Sequence, residues 1–287
     1  MLKSLQDTVQ EPSGTKSAIR QALMSPAGLR TAWIVVEAEE DVAVYEKFML
    51  RDSTVVKTSE DSSGRKGYAN VEIIVDEIKK EEPKAHIMGI RDADYLRYEE
   101  GLTVPVNIFL TDRRDLEMML LEAGSVKRAL EARIPEFEDV LDSCFPICRL
   151  FGYLRIYNEI SNLNVRFHDL LKTNLFWDYK NHALIEDWEK HCIDMFVSLV
   201  ENRCKYDDVN AFIKTKRLYQ ENSYDICRGH DVLRLLSLSL IHEHIYSVKN
   251  IMTIMIASYS SGDFKTTQLY ASIQAWQVKE GVEALVA

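Results

Sequence analysis

Four short apolar runs, separated by turns and by segments of helical period, constrain this chain more than any other feature. Trp33-Ile34-Val35-Val36 is mostly β-branched and too short for a helix, so it reads as a fully buried strand. Thr54-Val55-Val56, His86-Ile87-Met88-Gly89-Ile90 and Val106-Asn107-Ile108-Phe109-Leu110 repeat the signal. Between them, Val42, Val44, Tyr45, Phe48 and Met49 mark one helical pattern, and Val71, Ile74, Val75 and Ile78 mark another. Asp61 to Gly67 is rich in Ser and Gly and reads as a turn, and Pro83 ends the second helix. Strands alternating with helices of about ten residues indicate βαβ units. The expected fold class is therefore α/β, with a mainly parallel sheet flanked by helices.

After Gly124 the strand-like runs give way to long periodic segments at 126–143, 147–160, 184–204, 208–221, 230–248 and 264–285. Three parts are expected. Residues 1–29 form a polar arm with Pro12, Gly14, Pro26 and Gly28, leading to a short helix around Ser17 to Met24. Residues 30–125 carry the sheet, and 126–287 form a mostly helical domain for dimerisation or for binding a partner or substrate. A helix from Asp115 to Ala123 closes the sheet region, with Asp112 or Thr111 placed to cap it.

Composition narrows the class. Of 287 residues, 46% are hydrophobic and 28% charged, the balance of a globular protein. The most apolar run, Leu233 to Ile241, is short and broken by Arg234, Ser237 and Ser239. The N-terminal residues lack the apolar core of a signal peptide, so a cytoplasmic protein without membrane association is expected. The five cysteines include no CxxC pair, which argues for reduced thiols and against a structural zinc site. A net charge of −10 disfavours holding nucleic acid by bulk electrostatics, although divalent ions or a basic partner can offset it locally. Basic clusters at Arg65-Lys66, Lys79-Lys80, Arg113-Arg114 and Lys214 with Lys216-Arg217 read mainly as solvated faces.

Acidic residues gather where the strands end. Glu37 closes the first strand and Asp41 begins the next helix; Asp92 and Asp94 follow the third strand in GIRDADY; Asp112, Asp115 and Glu117 follow the fourth in TDRRDLE. In a parallel sheet the C-terminal strand ends share one edge, where ligands usually bind. Carboxylates gathered there repel one another unless a cation joins them, and Mg²⁺ or Mn²⁺ suits oxygen ligands. The D-x-D spacing turns Asp92 and Asp94 to one side of an extended segment and Ala93 to the other. Taken singly, each acid has an alternative reading as a helix cap or first-turn residue, which fits Asp41 and Asp115.

WIVVEAEEDVAVYEKFM, GIRDADY and IFLTDRRDLEMMLLE together resemble the Toprim fold of OLD-family nucleases. More narrowly, they resemble the Toprim effector subunits of PARIS anti-phage systems. The resemblance covers about residues 30–125, with a weaker echo in Arg228-Gly229-His230-Asp231 and the apolar stretch Val232 to Leu240. It implies a Toprim-like α/β domain with Glu37 as general acid/base and metal ligand. It further implies Asp92 and Asp94 as the metal-binding pair, Asp41 as an added catalytic acid, and Asp112, Asp115 and Glu117 as accessory metal-binding acids. Ala38 stands where the family pattern usually has glycine. The implied activity is Mg²⁺-dependent phosphodiester hydrolysis, with RNA and specifically tRNA as the substrate, in abortive antiviral defence. The implied partners are an ABC-type ATPase that holds the effector inactive and a second copy that makes the active homodimer.

Other motifs carry weaker signals. His242 and His244 flank Glu243, and on a helix residues two apart point about 200° from each other, too far to share an ion. Gly229-His230-Asp231 is either a helix start or the site of a catalytic histidine. Neither a P-loop nor a G-x-S-x-G elbow is present. Phe176-Trp177, Tyr179 and Trp188 suit packing between helices better than stacking on bases. A Toprim-fold scaffold without turnover is the main rival to a nuclease, and a primase or topoisomerase is less favoured without a zinc ribbon or a clear catalytic-tyrosine module.

Overall fold

The computed structural model describes residues 14–60, 67–96, 103–165, 167, 177–178, 183–200, 203–215, 222–240 and 247–286. Residues 61–66 of the expected turn, with Arg65-Lys66, lie outside these, as do Phe176, Tyr179, Lys216-Arg217 and the His242-Glu243-His244 run. In chain order the elements begin with α1 (Gly14–Leu23), α2 (Pro26–Arg30), β1 (Ala32–Val36), α3 (Glu39–Tyr45), β2 (Thr54–Thr58), α4 (Tyr68–Glu81), β3 (His86–Arg91) and β4 (Ile108–Leu110). There follow α5 (Leu116–Glu122), α6 (Gly124–Glu131), α7 (Phe137–Ile160), β5 (Trp177–Asp178), β6 (Ala183–Leu184), α8 (Trp188–Leu199) and α9 (Tyr206–Thr215). The last are α10 (Ser223–Ile226), α11 (Gly229–Ser239), α12 (Val248–Ser258), α13 (Ser261–Lys265) and α14 (Gln268–Glu280). Among the described residues, no helix is long and apolar enough to cross a membrane.

The chain divides into two compact units. The first takes the described residues of 1–93, 99–112 and 259–287, and the second those of 94–98 and 113–258. The first unit holds a four-stranded sheet in the order β2-β1-β3-β4, parallel throughout. This is the expected α/β architecture. Strand residues alternate between faces, and Trp33, Val35, Ile87 and Ile108 form one core with Ile19 and Leu23 of α1 and Val71, Ile74, Val75 and Ile78 of α4. Gly89 lets α4 approach this closely: a Cβ there would stand 2.5 Å from Val71 Cγ1 and 2.7 Å from Ile108 Cδ1. The alternate residues Ile34, Val36, Met88 and Ile90 are also buried, as both faces of a parallel sheet require.

The boundary at 125–126 differs from the one observed, because the described residues 259–286 belong with the sheet rather than with the helical unit. Aromatic packing ties them there. The Phe48 and Phe264 rings stack at 4.6 Å, and Tyr259 meets Phe48 edge-on at 5.6 Å. The terminal segment then pairs with residues 48–50, where Leu50 N–H donates to the Ala284 carbonyl at 2.8 Å and Met49 bridges Leu285.

In the second unit the 24-residue α7 replaces parts of two expected helices and contains Pro146. Its apolar residues from Phe145 to Ile156 other than Pro146 are buried on successive faces, the pattern of a central helix, and it packs against α6, α8, α9, α10 and α11. All five cysteines are free and buried.

Candidate functional site

The C-terminal edge of the sheet is built by main-chain geometry. The register sets Val36 against Thr58 and Val35 against Gly89, so Glu37 emerges beside the ends of β2 and β3. Glu37 Oε1 accepts the Asp92 N–H at 2.9 Å, which joins the strand ends of β1 and β3 through a side chain. The Glu37 carbonyl accepts the Thr58 hydroxyl at 3.3 Å and the Ser59 hydroxyl at 3.4 Å. Gly67, the residue before α4, has φ +115°, and a Cβ placed on it would lie 3.9 Å from Glu37 Oε2. The positive end of the α4 macrodipole therefore lies next to the Glu37 carboxylate, a favourable arrangement for negative charge.

Asp41 is the third residue of α3, and its Oδ2 accepts the Ala38 N–H at 2.7 Å. Ala38 has φ −140° and ψ 172°, extended backbone that alanine adopts freely. No glycine is required at this position. Glu39 and Glu40 are exposed, whereas Glu37 is half-buried and turned onto Asp92.

Beyond β3, Arg91 is buried, ion-paired with Glu72 and stacked 4.0 Å over the Tyr68 ring, both partners coming from α4. Its Nε donates to the Asp92 carbonyl at 3.2 Å. Thr111 supports the same turn: its N–H donates to the Arg91 carbonyl at 3.0 Å, and its hydroxyl oxygen accepts the Ala93 N–H at 3.0 Å. The sequence reading missed Arg91, and it considered Thr111 only as a cap.

Asp112 does not cap α5. Its two oxygens accept the N–H groups of Gln268 at 2.7 Å and Leu269 at 2.8 Å, at the start of α14. The cap of α5 is Asp115, whose Oδ1 accepts the Met118 N–H at 3.1 Å.

The division between the units falls between Ala93 and Asp94, so the two acids of D-x-D are assigned to different units. Ala93 is buried and Asp92 and Asp94 are half-buried; β3 ends at Arg91 and Asp94 takes a left-handed φ of 45°, so the extended backbone expected for D-x-D does not run through it. Within the second unit Arg114 Nη2 lies 3.7 Å from Asp94, and Arg114 Nη1 lies 3.3 Å from Asp115. Asp115 Oδ2 accepts the Gly229 N–H at 2.9 Å, and the Arg114 guanidinium stacks 4.3 Å over Tyr95. Burial pushes Asp115 upward against the opposing pull of Arg114 and the Gly229 and Met118 amides. Burial also raises the Tyr95 phenol to about 12. The RGHD motif enters through this network. Gly229 starts α11, Asp231 is buried and paired with Arg155 at 2.7 Å, and His230 is exposed, which is the helix-start arrangement. Glu117 lies in the first turn of α5 and is half-buried.

No family model and no curated protein matches the chain. The geometry therefore carries the functional reading. Among the described residues, no three His, Cys, Asp or Glu side chains stand together as a ready-made metal-ligand group. Both oxygens of Asp112 and both of Asp115 accept backbone amides. Glu37, Asp41 and Asp92 are the other strand-end acids of the sheet unit, and Glu37 Oε1 and Asp41 Oδ2 also accept backbone amides, those of Asp92 and Ala38. Their chemistry suits Mg²⁺, which takes one or two carboxylates and keeps several waters.

Proposed function

We propose that the sheet unit is a Toprim-type catalytic domain that hydrolyses phosphodiester bonds with a divalent cation, Mg²⁺ or Mn²⁺. The observation that supports this most is the Glu37–Asp92 junction across β1 and β3, at the edge where parallel sheets bind ligands. Within the sheet unit Asp92 and Glu37 are the proposed ligands, and Asp41 is the neighbouring acid on α3. When bound, a divalent cation supplies Lewis acidity and a water nucleophile active at neutral pH. Glu37 is the general acid/base, held in place by Asp92 N–H and by the α4 terminus. RNA, tRNA in particular, is the proposed substrate, and an ABC-type ATPase and a second copy of the chain are the proposed partners in anti-phage defence. These follow from the Toprim resemblance. Cytoplasmic action accords with them.

The test incubates the purified chain and Glu37→Ala with Mg²⁺ against tRNA, other RNA and DNA, with and without the ATPase. Loss of cleavage with an unchanged fold supports the assignment, and full activity of the variant refutes it. A second reading, a Toprim-fold scaffold without turnover, is favoured by the lack of a ready-made three-ligand group among the described residues. Calorimetric titration separates the two: a chain that ignores Mg²⁺ and Mn²⁺ up to millimolar levels is the scaffold.

A further inference from the structure

Tyr68 is 47% exposed, and among the described residues it is the only aromatic side chain that is largely open to solvent. Aromatic rings bury more apolar surface than most side chains, so leaving one in water forgoes a large stabilisation. The ring is nonetheless held in place. The Arg91 guanidinium lies 4.0 Å from its centroid, and Arg91 is itself buried, ion-paired with Glu72 and bonded through Nε to the Asp92 carbonyl. Glu72 stands four residues after Tyr68 on the same side of α4, so ring and carboxylate grip the guanidinium together.

The position of the ring gives that arrangement a use. Tyr68 is the first residue of α4 and follows Gly67, where a Cβ would lie 3.9 Å from Glu37 Oε2. Through Arg91 the ring also joins the Asp92 turn, whose N–H holds Glu37 Oε1. The exposed ring thus belongs to the strand-end edge. Arg91 covers one of its faces, which leaves the opposite face to solvent. A flat aromatic surface on a fixed support is what a nucleobase stacks on, and every base offers a π-face. A chain of net charge −10 gains little from phosphates in bulk, so an uncharged contact to the base is the grip this edge offers.

We propose that Tyr68 is a stacking platform for an unpaired nucleobase of a single-stranded nucleic acid. This rests on the reading of the strand-end edge as a nucleic-acid site. The ring meets a π-face rather than a 2′-hydroxyl, so RNA and DNA strands share the contact. Bases inside a duplex are already stacked on their neighbours and do not make it.

The test measures binding of labelled single-stranded RNA and DNA oligonucleotides, and of a duplex, by fluorescence anisotropy with the full chain in EDTA. Tyr68→Ala is expected to weaken single-strand binding about 5- to 150-fold, the worth of one base stacked on an aromatic ring, and to leave duplex binding unchanged. Tyr68→Phe keeps the ring and is expected to stay within about twofold of the parent. Tyr68→Leu keeps apolar bulk without a π-face and is expected to lose as much as Tyr68→Ala. Urea unfolding of each variant checks the fold. Unchanged single-strand affinity in Tyr68→Ala, parent-like affinity in Tyr68→Leu, an equal loss on duplex, or a parent chain that binds no single strand overturns the proposal. Cleavage is read separately with Glu37→Ala: a parent that binds through Tyr68 but cuts nothing keeps the stacking platform and removes the nuclease reading.

Discussion

Replacing Asp112 separates two jobs that one carboxylate can do. In the structure its oxygens accept the Gln268 and Leu269 N–H groups, the first of these bonds exposed and the second partly buried. Hydrogen bonds to a charged acceptor contribute about 1.5–3 kcal/mol when sheltered. Solvent exposure reduces each here to roughly 1 kcal/mol, with the helix macrodipole included in that figure. Asp112→Ala should therefore destabilise the protein by about 2 kcal/mol. Asp112→Asn should cost about half as much, since its amide keeps one acceptor oxygen and loses the charge. Urea unfolding followed by circular dichroism and tryptophan fluorescence reads the loss, because Trp276 lies in α14. Calorimetry with Mn²⁺ provides the other axis. A helix-capping Asp112 gives reduced stability with unchanged Mn²⁺ affinity. Stability within about 0.5 kcal/mol of the parent, combined with weakened Mn²⁺ binding, would refute the capping argument and return Asp112 to the ligand set.

Gly89→Ala should destabilise by about 1–3 kcal/mol, as expected for overpacking, because the added methyl meets Val71 and Ile108 inside the core; an unchanged urea midpoint would contradict the close α4–β3 approach. Glu280 provides a pH test. Burial opposes its charge, but hydrogen bonds from Lys79 and His86 outweigh this and hold its folded pKa below the usual 4.5. Its contribution to stability is then present above the unfolded value and lost as pH falls through the folded one. Glu280→Gln should flatten the acid side of the stability–pH curve below about pH 5, and an unaltered slope there would remove Glu280 from the account.

The sheet was legible because its signals are local. Val35-Val36 and Ile87-Met88 read as buried strands from their own side chains, and the Val71, Ile74, Val75 and Ile78 stripe fixed the face that α4 buries. The domain boundary was not legible, since Tyr259 and Phe264 look like ordinary helix core until Phe48 is seen against them. Lys47 Nζ reaches the Tyr259 carbonyl at 2.7 Å across 212 residues of chain, a pairing with no local trace. The α5 cap illustrates the same limit. Thr111, Asp112 and Asp115 are all suitable capping types within five residues, and the choice was set by the α14 amides, 156 residues beyond Asp112. Residue type placed the strand-end acids on one edge, but it did not reveal which oxygens were already engaged.

That last distinction bears directly on function. Seven acids near strand ends suggest a crowded cation site, yet Asp112 and Asp115 direct their oxygens at helix-terminal amides, where negative charge is stabilised without any ion. Removing them from the count leaves a smaller group of carboxylates, which is closer to what Mg²⁺ takes from a protein than a ring of seven would be. The helix-terminal acids still matter, through the frame rather than the ion. Asp112 holds α14 to the sheet unit, and Asp115 holds Arg114, which in turn lies against Asp94. Neutralising either should therefore act on the position of its neighbours, and on the proposed reading neutralising Glu37, which also holds the Asp92 N–H, should weaken cation binding as well.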